Sequence, residues 1–450
     1  SKSRLLLVLA VIGYVTAFHV TYRDVISPNF EFWGLGYRHL PVGYFWTTVM
    51  FCIIPSLWMP VTFSRPTLLL FYMQYLLIYV PAAFLVFYCD RPILPIDLAM
   101  QIVCWMFVGL SIMQSIYLIP IRTLTVLRLT PEAFWAFFGS ISLVMLAYIA
   151  ITLGSNFRLA SFADVNSVRY AMSDIIASTG SRFGAYSQFL LLALFLPTFF
   201  VVGADKRRWS LLVAVALAYI FIFGVSGAKQ AALSIVYLPL AYALLSRSTR
   251  RIPLLFICGL TAALLSGYLA LATLSRLPAI EYLSVVHFRL FTVPPLSIPQ
   301  YADFFQSHPL THLSHVTGLS SLLHFPYEEN VSYTIGRYYY HTILGANSGL
   351  WATDGIGSFG LVGIPIISCF AGIVLWILDS VAADMDPSFV GVMLTYCAVS
   401  FTNVSIFTTL ITGGLAFLIV ALAAAPRDAR GHIQVPRLSR PTSRSAVLET

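Results

Sequence analysis

Arg169, in "DVNSVRYAMSDIIASTGSRFGAYSQF" (164–189), and Arg276, Arg289 and Arg337 further along are guanidinium groups set in polar segments between long apolar runs. A guanidinium is a planar fork of donors that grips phosphate oxygens two at a time, so several converging could hold a diphosphate. Each arginine taken singly also has a plainer use, tying its segment to a nearby acid such as Asp164, Asp174, Glu281 or Asp303. Lys229, in "FGVSGAKQAALS" (223–234), follows small residues and opens an apolar run. A helix starting there would add N–H donors for an anion; the alternative is a lysine reaching for the membrane surface.

Histidine supplies the candidate proton acceptors. Six of the 9 histidines, His287, His308, His312, His315, His324 and His341, fall between residues 275 and 357. "HPLTHLSH" would place His308, His312 and His315 on one face of a helix, but no carboxylate or cysteine completes a metal set at a diagnostic spacing. A histidine acting as general base is the better expectation, with no metal. "GIGSFG" (355–360) has the glycine spacing of a dinucleotide loop without a strand before it, and no phosphate-binding loop of the ATPase type occurs, so no nucleotide cofactor is expected. "DMD" (384–386) reads as a solvated connector rather than a metal-binding pair.

The elements that must position these groups are membrane helices. Of the 450 residues 59% are hydrophobic and only 10% charged, with a mean hydropathy of +0.84. Twelve apolar runs are long enough to cross a bilayer, near 5–22, 43–63, 67–88, 98–120, 133–153, 187–203, 210–226, 230–246, 252–274, 358–378, 388–405 and 407–425. The first is read as a retained helix rather than a signal peptide. Placing the N-terminus in the cytoplasm assigns 16 of the 26 cations to that side and returns the C-terminus there, with 426–450 a basic, mobile tail. The net charge of +8 reflects this bias, and no basic, aromatic-interleaved face suggests nucleic acid. The six cysteines lie in or beside apolar runs with no paired spacing, as buried thiols do. Two segments, 154–186 and 275–357, are too long to be connectors and face away from the cytoplasm; the second is rich in aromatic residues suited to a surface-lying module that contacts sugar rings.

The order of features from about residue 120 to 425 resembles bacterial oligosaccharide repeat-unit polymerases of the Wzy type, also called O-antigen polymerases. "LASFADVNSVRY", "FLPTFFVVGADKRRW" with "FGVSGAKQAALS", "FRLFTVPPLSIPQYADFF" and "IGRYYYHTILGANSGLWATDGIGSFGLVGI" carry the likeness, and Arg169 with Gly180 matches an arginine-x10-glycine pattern of that family. No second-segment arginine matches it, since His287, Gln300 and Ser348 stand where glycine would follow Arg276, Arg289 and Arg337.

The resemblance implies an all-α, GT-C-like polytopic protein of the inner membrane. It implies a glycosyltransferase that joins undecaprenyl-diphosphate-linked oligosaccharides on the periplasmic face without metal or nucleotide, with a chain-length-regulating co-polymerase as a further partner. In that setting Arg169, Arg289 and Arg337 would hold the diphosphate, with Lys229 and Arg276 in reserve, Asn347 would orient a sugar or phosphate oxygen, and His341 or Asp354 would take the proton from the acceptor hydroxyl. Rival readings are an O-antigen ligase, a polyprenyl-sugar-dependent transferase, and a flippase or other transporter, the last expected to carry ionisable residues within its spans. A reporter enzyme inserted between residues 300 and 330 is expected to be active only on the periplasmic side; activity in the cytoplasm overturns the topology.

Overall fold

In a bilayer a helix apolar on all sides carries no penalty, but every backbone N–H and C=O must find its partner within the protein. The structure, a computed structural model, describes residues 2–124, 128–160, 164–179, 183–247, 251–316, 318–341, 345–346 and 350–436. Among these the regular structure is helical, apart from one isolated bridge between Arg427 and Ile433. The first ten helices are α1 (Lys2–Trp33), α2 (Val42–Leu57), α3 (Leu68–Tyr88), α4 (Ile96–Leu118), α5 (Pro131–Asn156), α6 (Val165–Thr179), α7 (Phe183–Asp205), α8 (Trp209–Ser226), α9 (Lys229–Leu245) and α10 (Ile252–Thr273). Then come α11 (Arg276–Leu283), α12 (Val293–Phe304), α13 (Val331–Tyr340), α14 (Leu350–Phe359), α15 (Gly363–Val381), α16 (Pro387–Met393), α17 (Thr395–Phe401), α18 (Ile406–Leu410) and α19 (Leu415–Ala424).

Nine helical stretches among the described residues are long and apolar enough to cross a membrane: α1, α3, α4, α5, α7, α8, α10, Trp351–Val381 and Ile406–Ala424. The chain has the build of an all-helical, multi-pass membrane protein. The other three of the twelve expected spans are shorter apolar pieces, α2, α9 and the pair α16 and α17.

α3 is the central strut, with 94% of its most apolar window buried. Its Gln74 accepts from the Trp351 indole N–H (3.2 Å) and donates to the Phe401 carbonyl (2.8 Å), so one amide ties the start of α14 and the end of α17 to the bundle centre. Both partners lie where the helices are broken. The Asp354 carboxylate, on α14, accepts from Ser405 Oγ (2.9 Å) and from the Ile406 N–H (2.7 Å), which serves the first turn of α18.

Two parts of the second long segment, α12 and α14, are drawn into the bundle, while the stretch between them lies over its end. α12 packs on α3 and α14, with Leu296, Ile298, Gln300 and Tyr301 all buried. α14 turns back on α15 through Gly360, whose φ of +68° is open to glycine at no steric cost. The reversal brings Gly355 against Gly363 so closely that a Cβ on Gly355 would lie 2.5 Å from the Gly363 carbonyl carbon. The glycines of "GIGSFG" serve this reversal. Non-helical backbone at such depth is tolerated because neighbouring helices cover it.

The two long segments gather at one end of the bundle, here the loop face. The opposite end, the tail face, carries Arg65 and the tail. Of the tail expected to be mobile, residues 426–436 are strapped down, and 437–450 lie outside the described residues. Arg427 pairs with Asp384 and donates to the Val381 carbonyl (2.7 Å), Lys206 pairs with Asp428 (3.0 Å), His432 meets Asp205 (3.0 Å) and stacks on Phe389, and Ile433 is buried. "DMD" is likewise an anchor: Asp384 also pairs with Arg128, and Asp386 accepts the Phe389 N–H (2.8 Å) at the start of α16. Charge counts in a sequence do not say which acid meets which base.

Gly355→Val is expected to cost about 1–3 kcal/mol through overpacking, lowering the melting temperature of the detergent-purified protein. An unchanged melting temperature rules out the close crossing of α14 and α15.

Candidate functional site

The stretch "FGVSGAKQ" builds a tight corner between α8 and α9. Gly224 sits against the Phe157 ring, where a Cβ would come within 2.4 to 3.2 Å of ring atoms, and its carbonyl accepts from the Arg158 N–H (2.9 Å). Ser226 Oγ accepts the Ala228 N–H (3.2 Å). Gly227 takes a left-handed conformation (φ +62°) and a Cβ there would lie 2.7 Å from the Val165 carbonyl oxygen, so α6 can press directly on the corner. Asn156 adds two bonds, donating to the carbonyls of Val225 (3.2 Å) and Val168 (3.4 Å), and so fastens α6 to the end of α8.

This packing delivers Arg169 from α6 to the corner that ends in Lys229. Arg169 Nε donates to the Gly227 carbonyl at 3.0 Å, which fixes the guanidinium and directs its two remaining nitrogens elsewhere. Arg289 arrives from a third direction, the wide π-type turn Ser284–Thr292 between α11 and α12. That turn is held to α10 by buried His287, whose Nε2 bonds the Leu264 carbonyl (2.8 Å), and is braced internally by Thr292 Oγ, which donates to the Phe288 carbonyl (2.8 Å). Arg289 stands 5.9 Å from the Phe288 ring centroid.

The three cations are close enough to feel one another. Burial first, and then the charge of Arg289, pulls the Arg169 pKa below its ordinary value. Lys229 lies within the fields of both arginines. Among the described residues neither Arg169 nor Arg289 forms an ion pair with a carboxylate, so the tie to Asp164, Asp174, Glu281 or Asp303 is not how these two are used. Two arginines and a lysine from three separate elements form a concentration of positive charge at the end of the bundle.

The remaining expected groups are placed differently. Arg337 donates from NH2 to Glu329 (2.7 Å) in an exposed ion pair on α13. Arg276 opens α11 and is exposed. His341 ends α13 in a left-handed conformation (φ +51°) and is exposed. Asp354 is 4% exposed, and one oxygen of its carboxylate, Oδ2, accepts both from Ser405 Oγ and from the Ile406 N–H. Asn347, Gly180 and Arg182 lie outside the described residues. "HPLTHLSH" forms turns rather than a helix, with φ positive at His312 and Leu313, so its three histidines diverge: His308 stacks on Phe304, His312 turns to Phe359 and His315 to Phe407. Two carboxylates, Asp354 and Asp379, do lie within the stretch Trp351–Val381, outside the narrower run read at 358–378. Asp379 is engaged by the Thr67 N–H (3.2 Å) and hydroxyl (2.7 Å).

Sequence reading missed Trp33, which bridges the two parts of the second segment. Its ring meets Phe288 (5.6 Å) and Tyr340 (5.3 Å), joining the turn that carries Arg289 to the end of α13. Only its position beside a polar turn could have suggested this. Compared with known proteins, the chain matches no family model, no curated protein and no solved structure.

His315 gives this face a measurable pH signature. It borders a small cavity of about 50 Å³ that Asp354 also lines, and burial pulls its pKa down to about 4. The unfolded chain therefore binds a proton near pH 6.5 that the folded one refuses, so stability is full above about pH 6.5 and falls as pH drops toward 4, by at most about 3 kcal/mol. Thermal melts between pH 7 and 4.5 are expected to show this loss, and His315→Gln to flatten it; parallel profiles in both proteins contradict the assignment.

Proposed function

We propose that the protein is a glycosyltransferase that polymerises polyprenyl-diphosphate-linked oligosaccharide units at the outer face of a bacterial inner membrane, as its resemblance to the Wzy-type polymerases implies. The observation that carries the reading is the convergence of Arg169, Lys229 and Arg289, from α6, α9 and the turn before α12. Gathering like charges costs free energy in the absence of an anion, and a multiply charged headgroup returns it through charge-assisted bonds. A lipid diphosphate presents such a headgroup at the level where membrane helices end.

The chemistry follows from the charge. An acceptor hydroxyl attacks the anomeric carbon of the lipid-linked chain, the bond to the diphosphate oxygen breaks, and negative charge grows on the leaving group. Guanidiniums already in place stabilise that growth more than they stabilise the bound substrate, which lowers the barrier. Arg169 is held on the Gly227 carbonyl before substrate arrives, so little reorganisation is needed. Of the two expected proton acceptors we assign His341, which is exposed on the loop face, in preference to the buried Asp354. Arg337, neutralised by Glu329, is assigned to the saccharide rather than to the diphosphate. The co-polymerase and the donor lipid remain part of this proposal.

Arg169→Ala and Arg289→Ala are each expected to leave the protein folded in the membrane and to slow chain elongation about 10²–10³-fold. The measurement is the ladder formed when purified protein is incubated with lipid-linked repeat units. Normal ladders from both variants would falsify the diphosphate role.

A further inference from the structure

On the loop face α12 and α13 enclose an open cleft of about 470 Å³. Its floor is a pair of rings, Phe304 and His308, stacked 3.8 Å apart and within 8° of parallel. Tyr338 stands as a wall, at 81° to both rings and with 49% of its surface exposed. Tyr327 closes the far side, 5.9 Å from Phe304, with its hydroxyl fixed on the Pro309 carbonyl. Glu328, Glu329 and Arg337 supply the polar lining. His308 Nδ1 bonds the Phe304 carbonyl at 2.8 Å, and a carbonyl can only accept, so Nδ1 carries the proton and Nε2 is left as an acceptor.

We propose that this cleft is a saccharide-binding site that takes a pyranose ring of an oligosaccharide. A pyranose has an apolar face of C–H groups and a rim of hydroxyls that both donate and accept. The exposed face of Tyr338 suits the first. The carboxylates of Glu328 and Glu329 and His308 Nε2 accept from the rim, and the Arg337 guanidinium donates to it.

The charge balance selects against other occupants. Arg337 is already paired with Glu329 (2.7 Å), and Glu328 adds a further negative charge, so the cleft does not favour an anion. The diphosphate and the sugar are thereby assigned to different places: the headgroup to the cluster around Arg169, the glycan to α13. The aromatic line Tyr340, Trp33 and Phe288 connects them, ending beside Arg289. That the saccharide is a lipid-linked repeat unit rests on the polymerase reading; the shape and lining of the cleft do not.

The test uses the full chain in lipid nanodiscs. The probe is the free oligosaccharide released by mild acid from the lipid-linked oligosaccharides of the strain that makes the protein. Saturation-transfer NMR is expected to show transfer to ring protons of the sugar in the wild type. Tyr338→Ala is expected to weaken binding at least tenfold, Tyr338→Phe to retain it, and Glu328→Gln to weaken it while leaving the fold intact. Inorganic pyrophosphate is not expected to compete. Absence of transfer in the wild type, equal binding by Tyr338→Ala and wild type, or displacement by pyrophosphate overturns the proposal. If the wild type binds the sugar but forms no ladder from lipid-linked repeat units, the polymerase reading fails and the saccharide site stands; if it forms ladders while Tyr338→Ala binds the sugar as the wild type does, the saccharide site fails and the polymerase reading stands.

Discussion

The side-chain amide of Gln74 is the interaction on which the rest of the structure hangs. It lies on a helix buried on all sides, where no water can serve an unpaired polar group, and it spends its carbonyl on Trp351 and its amine on Phe401. Each unpaired partner in such a place costs about 1–3 kcal/mol. A glutamine at the centre of an apolar bundle therefore demands that α14 begin and α17 end beside it. From α14 the chain supplies Asp354 to the break before α18, so the two interruptions of the helical bundle serve each other.

This arrangement explains how a long polar segment becomes part of the core. With α3 as a central strut, α12 and α14 have apolar surface to cover, and they cover it from the loop face inward. Tethered at α12 and α14, the remainder of the segment is held over the end of the bundle. α11, the turn to Thr292 and α13 then present their charged and aromatic residues in fixed positions. The cation cluster depends on the same logic from the other side, because Arg169 is placed only when α6 docks on the Gly227 corner and Arg289 only when His287 binds the α10 backbone.

Much of the scaffold was legible in the residues. Apolar runs marked each long helix, since length and hydropathy alone decide what can cross hydrocarbon. Lys229 was legible as the start of α9 because small residues and a left-handed glycine precede it. Asp354 misled, because a carboxylate beside glycines in a polar stretch reads as accessible until the fold buries it against Ser405. Arg337 shares residue type and segment with Arg289, yet its helix turns it to Glu329, a pairing that segment and residue type do not reveal. For residues 426–436 composition misled, since basic residues with proline suggest mobility unless acids are placed to meet them.

By itself the sequence determined the solvent: 59% hydrophobic residues and 10% charged leave the bilayer as the medium in which such helices are stable. It also narrowed the candidates for an anion site to the few cations of the two long polar segments and to Lys229 at the start of α9. Tertiary structure alone decided which of those cations meet. Arg169, Lys229 and Arg289 are separated by 60 residues at each step, and nothing local couples them. Their convergence arises because buried polar groups far from the cations, at Gln74, Asn156 and His287, must each find a partner, and satisfying those groups orients the helices that carry the charge.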